Sequence, residues 1–252
     1  MHILAILLRS IKISKMHLIK IKKKIQKFNK VLTIEGDKSL SIRWALIASQ
    51  SKYKSRSINL LLSEDVINTL KCLKKLGVKV KIFKKYCEIN GVGLNGFQYK
   101  KNIILNAGNS GTLGRLIMGL LIHSKSSIKL IGDKSLSKRD FLRIIKPLKK
   151  FGAHFKSNSG KLPIIIKGTN NPKPISFDEM KGSAQVKSSL MLAALNTKGE
   201  TIIKAKKSRN HSELLFKHLK LPIKVLRKKN YDLIKVKGKK EIPALNYKIP
   251  SD

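Results

Sequence analysis

Along this chain the apolar and polar positions repeat one order of elements three times: a helical stretch, a short strand, a second helical stretch, then two strands around a polar turn. The first round predicts a helix over Ser39–Gln50, a strand over Ser57–Leu62, a helix over Glu64–Leu76 and a hairpin of Val78–Phe83 with Tyr86–Asn90. The second predicts helices over Ser110–His123 and Lys138–Phe151, a strand over Ser127–Ile131, and a hairpin of Ala153–Lys156 with Leu162–Lys167. The third predicts Ser183–Leu195 and Asn210–Leu219 as helices, Thr201–Ala205 as a strand, and Ile223–Leu226 with Asp232–Lys237 as the hairpin. Gly77 and Gly152 fall where a helix end needs a left-handed residue, and Gly91, Gly168 and Gly238 close the three hairpins. Faces such as Ala45, Leu46, Ala48 and Leu190, Leu192, Ala193, Ala194 are apolar enough to be buried, with strands packed on their other side. Three βα units around shared buried helices predict one α/β domain over residues 35–245, without an internal linker.

Composition agrees with a globular chain, since 252 residues at 42% hydrophobic content can enclose a sizeable core. The net charge of +41 first suggests a nucleic-acid binder. Against that, 47 lysines and only 8 arginines are spread through nearly every segment, as drift in an A+T-rich genome produces, and only Ile21–Lys30 forms a patch. Surface charge without a specific nucleic-acid partner is the expectation. Cys72 and Cys87 stand in neither a CxxC nor a metal-ligand spacing, so no disulfide framework or metal is expected and reduced cytoplasm is the predicted compartment. The apolar run Ile3–Leu8 ends at Arg9, too short for a secretory signal or a membrane span. Met16 is a second candidate start, and the absence of acid before Glu35 leaves an organellar transit peptide open.

The chemistry gathers at the helix starts, where unpaired N–H groups and the positive end of the dipole suit an anion. They read Gly36-Asp37-Lys38-Ser39 with Arg43, Gly108-Asn109-Ser110-Gly111-Thr112 with Arg115, and Gly182-Ser183-Ala184-Gln185 with Lys187. Two second helices are expected to begin at Ser137-Lys138-Arg139 and Ser208-Arg209-Asn210. If rotation relates the repeats, all five starts point into one cleft. Four of the eight arginines, Arg43, Arg115, Arg139 and Arg209, lie at or near these starts. A forked guanidinium binds phosphate and carboxylate as a lysine ammonium cannot. For any one position, helix capping or plain surface placement explains the same residue equally well.

Six segments carry a family resemblance: Gly36–Arg43 (GDKSLSIR), Ser63–Asn68 (SEDVIN), Gly108–Arg115 (GNSGTLGR), Gly132–Arg139 (GDKSLSKR), Ser183–Ser188 (SAQVKS) and Ser208–Glu213 (SRNHSE). In order and interval they resemble the motifs of EPSP synthases, over about residues 31–252. The resemblance implies one domain of an inside-out α/β barrel, the enolpyruvyl transferase fold, built from three βαβαββ-type repeats. It implies transfer of an enolpyruvyl group from phosphoenolpyruvate to the 5-hydroxyl of shikimate 3-phosphate, with no metal or organic cofactor, by a monomer. Lys38 matches the family's lysine between the two substrates. Ser39, Arg43, Ser183, Ala184, Gln185 and Arg209 match the shikimate 3-phosphate side. Asn109, Gly111, Thr112, Arg139 and again Gln185 match the phosphoenolpyruvate side, where glyphosate binds in the family.

The pattern is departed from at Glu35, Ile42, Trp44, Ser110, Asp140 and Asn210. The resemblance also implies a second domain carrying the acid–base aspartate and further arginines, so this chain is expected to be truncated and inactive alone. Residues 1–34 are expected to be an extension and a strand belonging to that second domain, and 246–252 the start of the crossover to it. UDP-N-acetylglucosamine enolpyruvyl transferase shares the fold, but its Lys-Asn start and loop cysteine have no counterpart here, since Ser39 follows Lys38 and neither cysteine lies in such a loop.

Overall fold

A computed structural model describes residues 34–251 except Lys85 and Lys240, together with residues 27, 29 and 31. The extension expected over residues 1–34 otherwise lies outside the described residues. From Ile34 onward the chain forms one unit. In its first third, helix α1 (Lys38–Ala48) leads to strand β1 (Lys54–Ile58), helix α2 (Glu64–Lys75) and the hairpin β2 (Lys79–Ile82) and β3 (Tyr86–Asn90). The middle third holds β4 (Ile103–Asn106), α3 (Gly111–Leu120), β5 (Ile128–Ile131), α4 (Lys134–Ser137), α5 (Leu142–Lys150), β6 (His154–Asn158) and β7 (Lys161–Lys167). The last third holds β8 (Ser176–Glu179), α6 (Ala184–Leu195), β9 (Glu200–Lys206), α7 (His211–His218), β10 (Ile223–Arg227), β11 (Tyr231–Lys237) and finally β12 (Tyr247–Lys248).

Three four-stranded sheets result, ordered β12-β1-β3-β2, β4-β5-β7-β6 and β8-β9-β11-β10. In each, the first two strands run parallel and the hairpin pairs antiparallel beside them. The second and third thirds are therefore complete βαβαββ units. The first draws its leading strand from the far end of the chain, where Ser57 pairs with Tyr247 and Ile58 with Lys248. Several contacts hold that segment: the buried Trp44 indole donates to the Leu245 carbonyl at 2.9 Å, the Ile249 N–H to the Ile58 carbonyl at 3.0 Å, and the Asp37 N–H to the Pro250 carbonyl at 2.8 Å. Residues 246–252, read in the sequence as a crossover, thus contain a strand of the first sheet.

Helices α1, α3 and α6 carry apolar or small residues on nearly every side, and almost all of their positions are buried. A helix of that kind has to be enclosed. The three lie inside, with α1 against α3 and α3 against α6, and the sheets cover them. Many outward strand positions carry lysine, among them Lys79 and Lys81 of β2 and Lys161 and Lys167 of β7, which is where part of the +41 charge goes. Each second hairpin strand leaves its sheet across the C-terminal turn of its central helix. A Cβ on Gly91, Gly168 or Gly238 would lie about 2 Å from main-chain atoms there (2.2 Å from Ser51 O, 2.1 Å from Ser124 N and 1.8 Å from Thr197 O). Those three glycines are needed for close approach, whereas Gly77 and Gly152 are left-handed at φ 88° and 103°.

Three sequence expectations change. The strand expected over Ser57–Leu62 lies earlier, at Lys54–Ile58, because Asn59 turns left-handed (φ 60°) and ends it; Ser55 and Ser57 point into the core, and the leucines that suggested a strand form the connection. The helix expected over Lys138–Phe151 is two helices. The Arg139 N–H bonds back to the Leu136 carbonyl and closes α4, and the Asp140 carboxylate accepts the Leu142 N–H at 2.7 Å to open α5. Strands β4, β8 and β12 were not anticipated. Both cysteines are free and buried, and burial pushes the Cys72 and Cys87 thiols up to about 11 and about 12. Among the described residues no helix is long and apolar enough to cross a membrane.

The tightest seam of the centre is that between α3 and α6, where a Cβ on Gly119 would lie 2.1 Å from the Ser189 carbonyl oxygen. Gly119→Ala should cost about 1–3 kcal/mol by forcing two packed backbones apart. Urea unfolding should show a lower midpoint at unchanged slope.

Candidate functional site

Three side chains cap the central helices: the Asp37 carboxylate accepts the Leu40 N–H, Ser110 Oγ the Leu113 N–H at 3.2 Å, and Ser183 Oγ the Val186 N–H at 3.4 Å. Each cap satisfies one of the free N–H groups of its helix start and leaves others, with the positive end of the dipole, for a ligand. The three starts converge. A cavity of about 320 Å³ is lined by Ser39 of α1, Thr112 of α3, and Gly182, Ser183, Ala184 and Gln185 at the start of α6, together with Arg43, Arg143, Lys181, Arg209 and His211. Eight of the residues singled out in the sequence meet there: Ser39, Arg43, Thr112, Gly182, Ser183, Ala184, Gln185 and Arg209. Among the described residues no carboxylate lines it.

Arg43 is 5% exposed, and its guanidinium is held by hydroxyls and a carbonyl instead of an acid. Nε donates to Ser212 Oγ at 2.8 Å, Nη1 to the Ser39 carbonyl at 3.0 Å, and Nη2 to Ser188 Oγ at 3.3 Å. Burial lowers its pKa to about 10, with Asp37 and Glu213 pulling upward, so it stays charged at neutral pH. Ser212 Oγ also donates to Ser188 Oγ at 2.6 Å, which joins α1, α6 and α7 behind the cavity. Lys187, grouped in the sequence with the third helix start, does not reach the cavity. It is fully buried in an ion pair with Glu213, and neither group has another hydrogen-bond partner among the described residues.

A second cationic cluster adjoins the first through Gln185, whose carbonyl accepts from Arg115 Nη1 at 2.6 Å while its amide donates to Thr112 Oγ1 at 3.2 Å. Arg139 Nη2 donates to the Asn109 carbonyl oxygen at 3.3 Å. Gly111 lies between the guanidiniums: a Cβ there would be 3.0 Å from both Arg115 Nη1 and Arg139 Nη1. Arg115 is itself buried, and burial first, then the charges of Arg143 and Arg139, lowers its pKa to about 10. Asn109, Gly111 and Arg139 therefore form a group beside the cavity, not in its lining. Lys38 is also outside the lining. It opens α1 next to Ser39, and its Nζ pairs with Asp65 of α2 at 3.2 Å, half exposed.

Sequence reasoning missed Arg143, Lys181 and His211 in the lining, and Asp65 beside Lys38. Arg143 was detectable, being one of eight arginines in a lysine-rich chain, but a helix running unbroken from Lys138 hid the fact that it stands in a first turn. Arg139 lies in the link between α4 and α5, not at a helix start. Of the departures from the family pattern, Ser110 is the cap of α3, Asp140 opens α5, and Ile42 and Trp44 are core residues.

Residues 22–252 match the family model described as EPSP synthase (3-phosphoshikimate 1-carboxyvinyltransferase). The 3-phosphoshikimate 1-carboxyvinyltransferases of Vesicomyosocius okutanii and Ruthia magnifica are 42% and 41% identical over 223 and 222 residues, in each case 88% of this chain and 50% of theirs. That of Streptococcus suis is 36% identical over 236 residues, 92% of this chain and 54% of its own. Two solved structures of EPSP synthase from Acinetobacter baumannii match at a TM-score of 0.79, with 34% and 33% identity, over 88% of this chain and 49% and 50% of theirs. The chain spans about half the length of the curated relatives it matches.

The ion pair behind the cavity gives a direct test of how the site is supported. Lys187→Met should destabilise the chain by about 3–5 kcal/mol, because the Glu213 carboxylate is left buried without its partner. Lys187→Met with Glu213→Leu should recover most of that loss, and denaturant unfolding of the two variants checks both statements.

Proposed function

The chain belongs to the EPSP synthase family, and from that premise we propose that it carries the shikimate 3-phosphate half of an enolpyruvyl-transfer cleft. The observation that carries the proposal is the cavity where three helix starts meet Arg43, Arg143, Lys181 and Arg209, with no carboxylate among the described lining residues. Such a lining suits a small ligand bearing both a phosphate and a carboxylate. Shikimate 3-phosphate is held by Ser39, Arg43, Ser183, Ala184, Gln185 and Arg209. Phosphoenolpyruvate occupies the neighbouring cluster of Asn109, Gly111, Thr112 and Arg139, and Gln185 faces both.

In the reaction the C3 methylene of phosphoenolpyruvate gains a proton while the 5-hydroxyl, giving up its own, attacks C2; phosphate and one proton of the new C3 methyl then leave the tetrahedral intermediate, which restores the enol double bond. Lys38 carries an ammonium proton and stands one residue from the cavity-lining Ser39, so it serves as the proton donor, held by Asp65 until substrates compete for it. Guanidiniums already fixed by the fold stabilise the anionic transition state without reorganising. Taking the proton from the attacking hydroxyl requires a base. With no acidic side chain in the lining, these residues bind substrate and leave that step to the remainder of a complete cleft.

Arg209→Ala should weaken shikimate 3-phosphate about ten- to a hundredfold and phosphoenolpyruvate much less, and Arg139→Ala the reverse. Calorimetric titration decides this, and equal losses for both ligands would mean that the cleft is divided wrongly. The purified chain should release no product from the two substrates until the other half of the cleft is supplied as a separate polypeptide. In that complemented form Lys38→Met should lower turnover about 10²–10³-fold. Product from the 252-residue chain by itself would overturn the assignment of roles.

A further inference from the structure

We propose that Arg143 is a ligand-binding residue shared by the two anionic subsites, its guanidinium fork serving one ligand on each side of the seam between them. The proposal deepens the enolpyruvyl-transfer reading and rests on it. Arg143 is the second residue of α5. A cation in the first turn of a helix meets the positive end of the dipole and is disfavoured there. No acid offsets it: the ion pairs among the described residues are Lys38–Asp65, Arg56–Glu88, Lys187–Glu213 and Lys235–Glu200. Asp140, three residues earlier, gives its carboxylate to the Leu142 N–H.

The surroundings compound the cost. On one side Arg143 lines the cavity with Arg43, Lys181 and Arg209. On the other, buried Arg115 donates to the Asp140 carbonyl, three residues before Arg143, the charges of Arg143 and Arg139 both lower its pKa, and its Nε has no hydrogen-bond partner among the described residues. The guanidiniums of Arg115, Arg139 and Arg143 are thus gathered at the seam between the two clusters, and their mutual repulsion weighs against the folded chain. Local rules of charge placement are broken in this way at functional positions. A planar fork with donors on two edges can bind one oxyanion on each, which a point ammonium cannot do.

The test is titration of the 252-residue chain with shikimate 3-phosphate, and with phosphoenolpyruvate at saturating shikimate 3-phosphate, read by calorimetry and by thermal unfolding. Arg143→Gln should weaken both ligands about ten- to a hundredfold, and it should raise the unfolding midpoint of the ligand-free chain by about 1–3 °C. Arg143→Lys should keep the charge yet recover only part of the binding. Lys146→Gln, which removes the same charge further along α5, should leave both affinities unchanged. Unchanged affinities in Arg143→Gln, a loss confined to one ligand, or equal losses in Arg143→Gln and Lys146→Gln would overturn the proposal. An Arg143→Gln chain that no longer folds would overturn it as well, because the charge would then be serving the fold. If the unaltered chain binds neither ligand, it is the enolpyruvyl-transfer reading that fails.

Discussion

A helix with apolar or small residues on nearly every side can exist in water only if something covers nearly every side, and three helices among the described residues are of that kind. Packing α3 against α1 and α6 buries the faces they share, and the second helices α2, α5 and α7 together with the sheets cover the rest. The architecture follows from that constraint. Sheets stand outside helices, so the lateral surfaces of the central helices are unavailable for chemistry and only their ends are free. At the C-terminal ends, the strands returning from the hairpins supply N–H donors, as Val92 does to the Ser49 carbonyl, Gly168 to Ser124 and Lys239 to Leu195. At the N-terminal ends the caps satisfy only part of the demand, and what is left is a concentration of donors and positive dipole at one place.

The side chains around that place keep the charge available. Arg43 could have been neutralised by a buried carboxylate, and Glu213 is near enough to influence it, yet Glu213 is committed to Lys187. Serine hydroxyls take the guanidinium hydrogen bonds instead. Hydroxyls meet the directional requirement of the donor without cancelling its charge, so no direct ion pair neutralises Arg43 beside the cavity. The same division holds at Arg115, whose partners are the Gln185 carbonyl and a main-chain carbonyl, with the Phe141 ring 5.1 Å from the guanidinium carbon. Desolvation of these cations without a neutralising partner lowers stability, and an anion bound beside them would recover part of it.

Much of this was legible in the sequence because the repeated features are local. Alternation within the hairpins, left-handed glycines after α2 and α5, and small capping residues before α1, α3 and α6 are each fixed by a few adjacent residues. What was not legible depends on partners distant in the chain. Ser176–Glu179 has no apolar alternation and becomes a strand only because Ile202–Ala205 presents a parallel edge to it. Tyr247 and Lys248 complete a sheet begun some 190 residues earlier, a pairing no local pattern encodes. The break between α4 and α5 turns on the Asp140 carboxylate competing for a main-chain N–H, a choice that periodicity does not register. At the site, the starts of α1, α3 and α6 were found, whereas Arg143 and His211 at the starts of α5 and α7, and Lys181 in a loop, were not. Lys181 reaches the cavity because Gly182 is left-handed (φ 70°) and the buried Glu179 carboxylate accepts the Ser183 N–H at 2.8 Å.

Charge illustrates the difference between amount and placement. The +41 of this chain resides mostly in lysines on outward strand and helix positions, where an ammonium is solvated and screened and demands nothing of its neighbours. Arginine is scarce, and five of its eight occurrences, Arg43, Arg115, Arg139, Arg143 and Arg209, surround the two adjoining clusters. Of the others, Arg56 forms the fork to Glu88 and lies over the Tyr86 ring, again a task that a point charge performs poorly. In a protein so rich in positive charge, net charge therefore identifies no partner. The positions where a fixed planar fork is required do, because only a ligand with paired oxygens makes use of one.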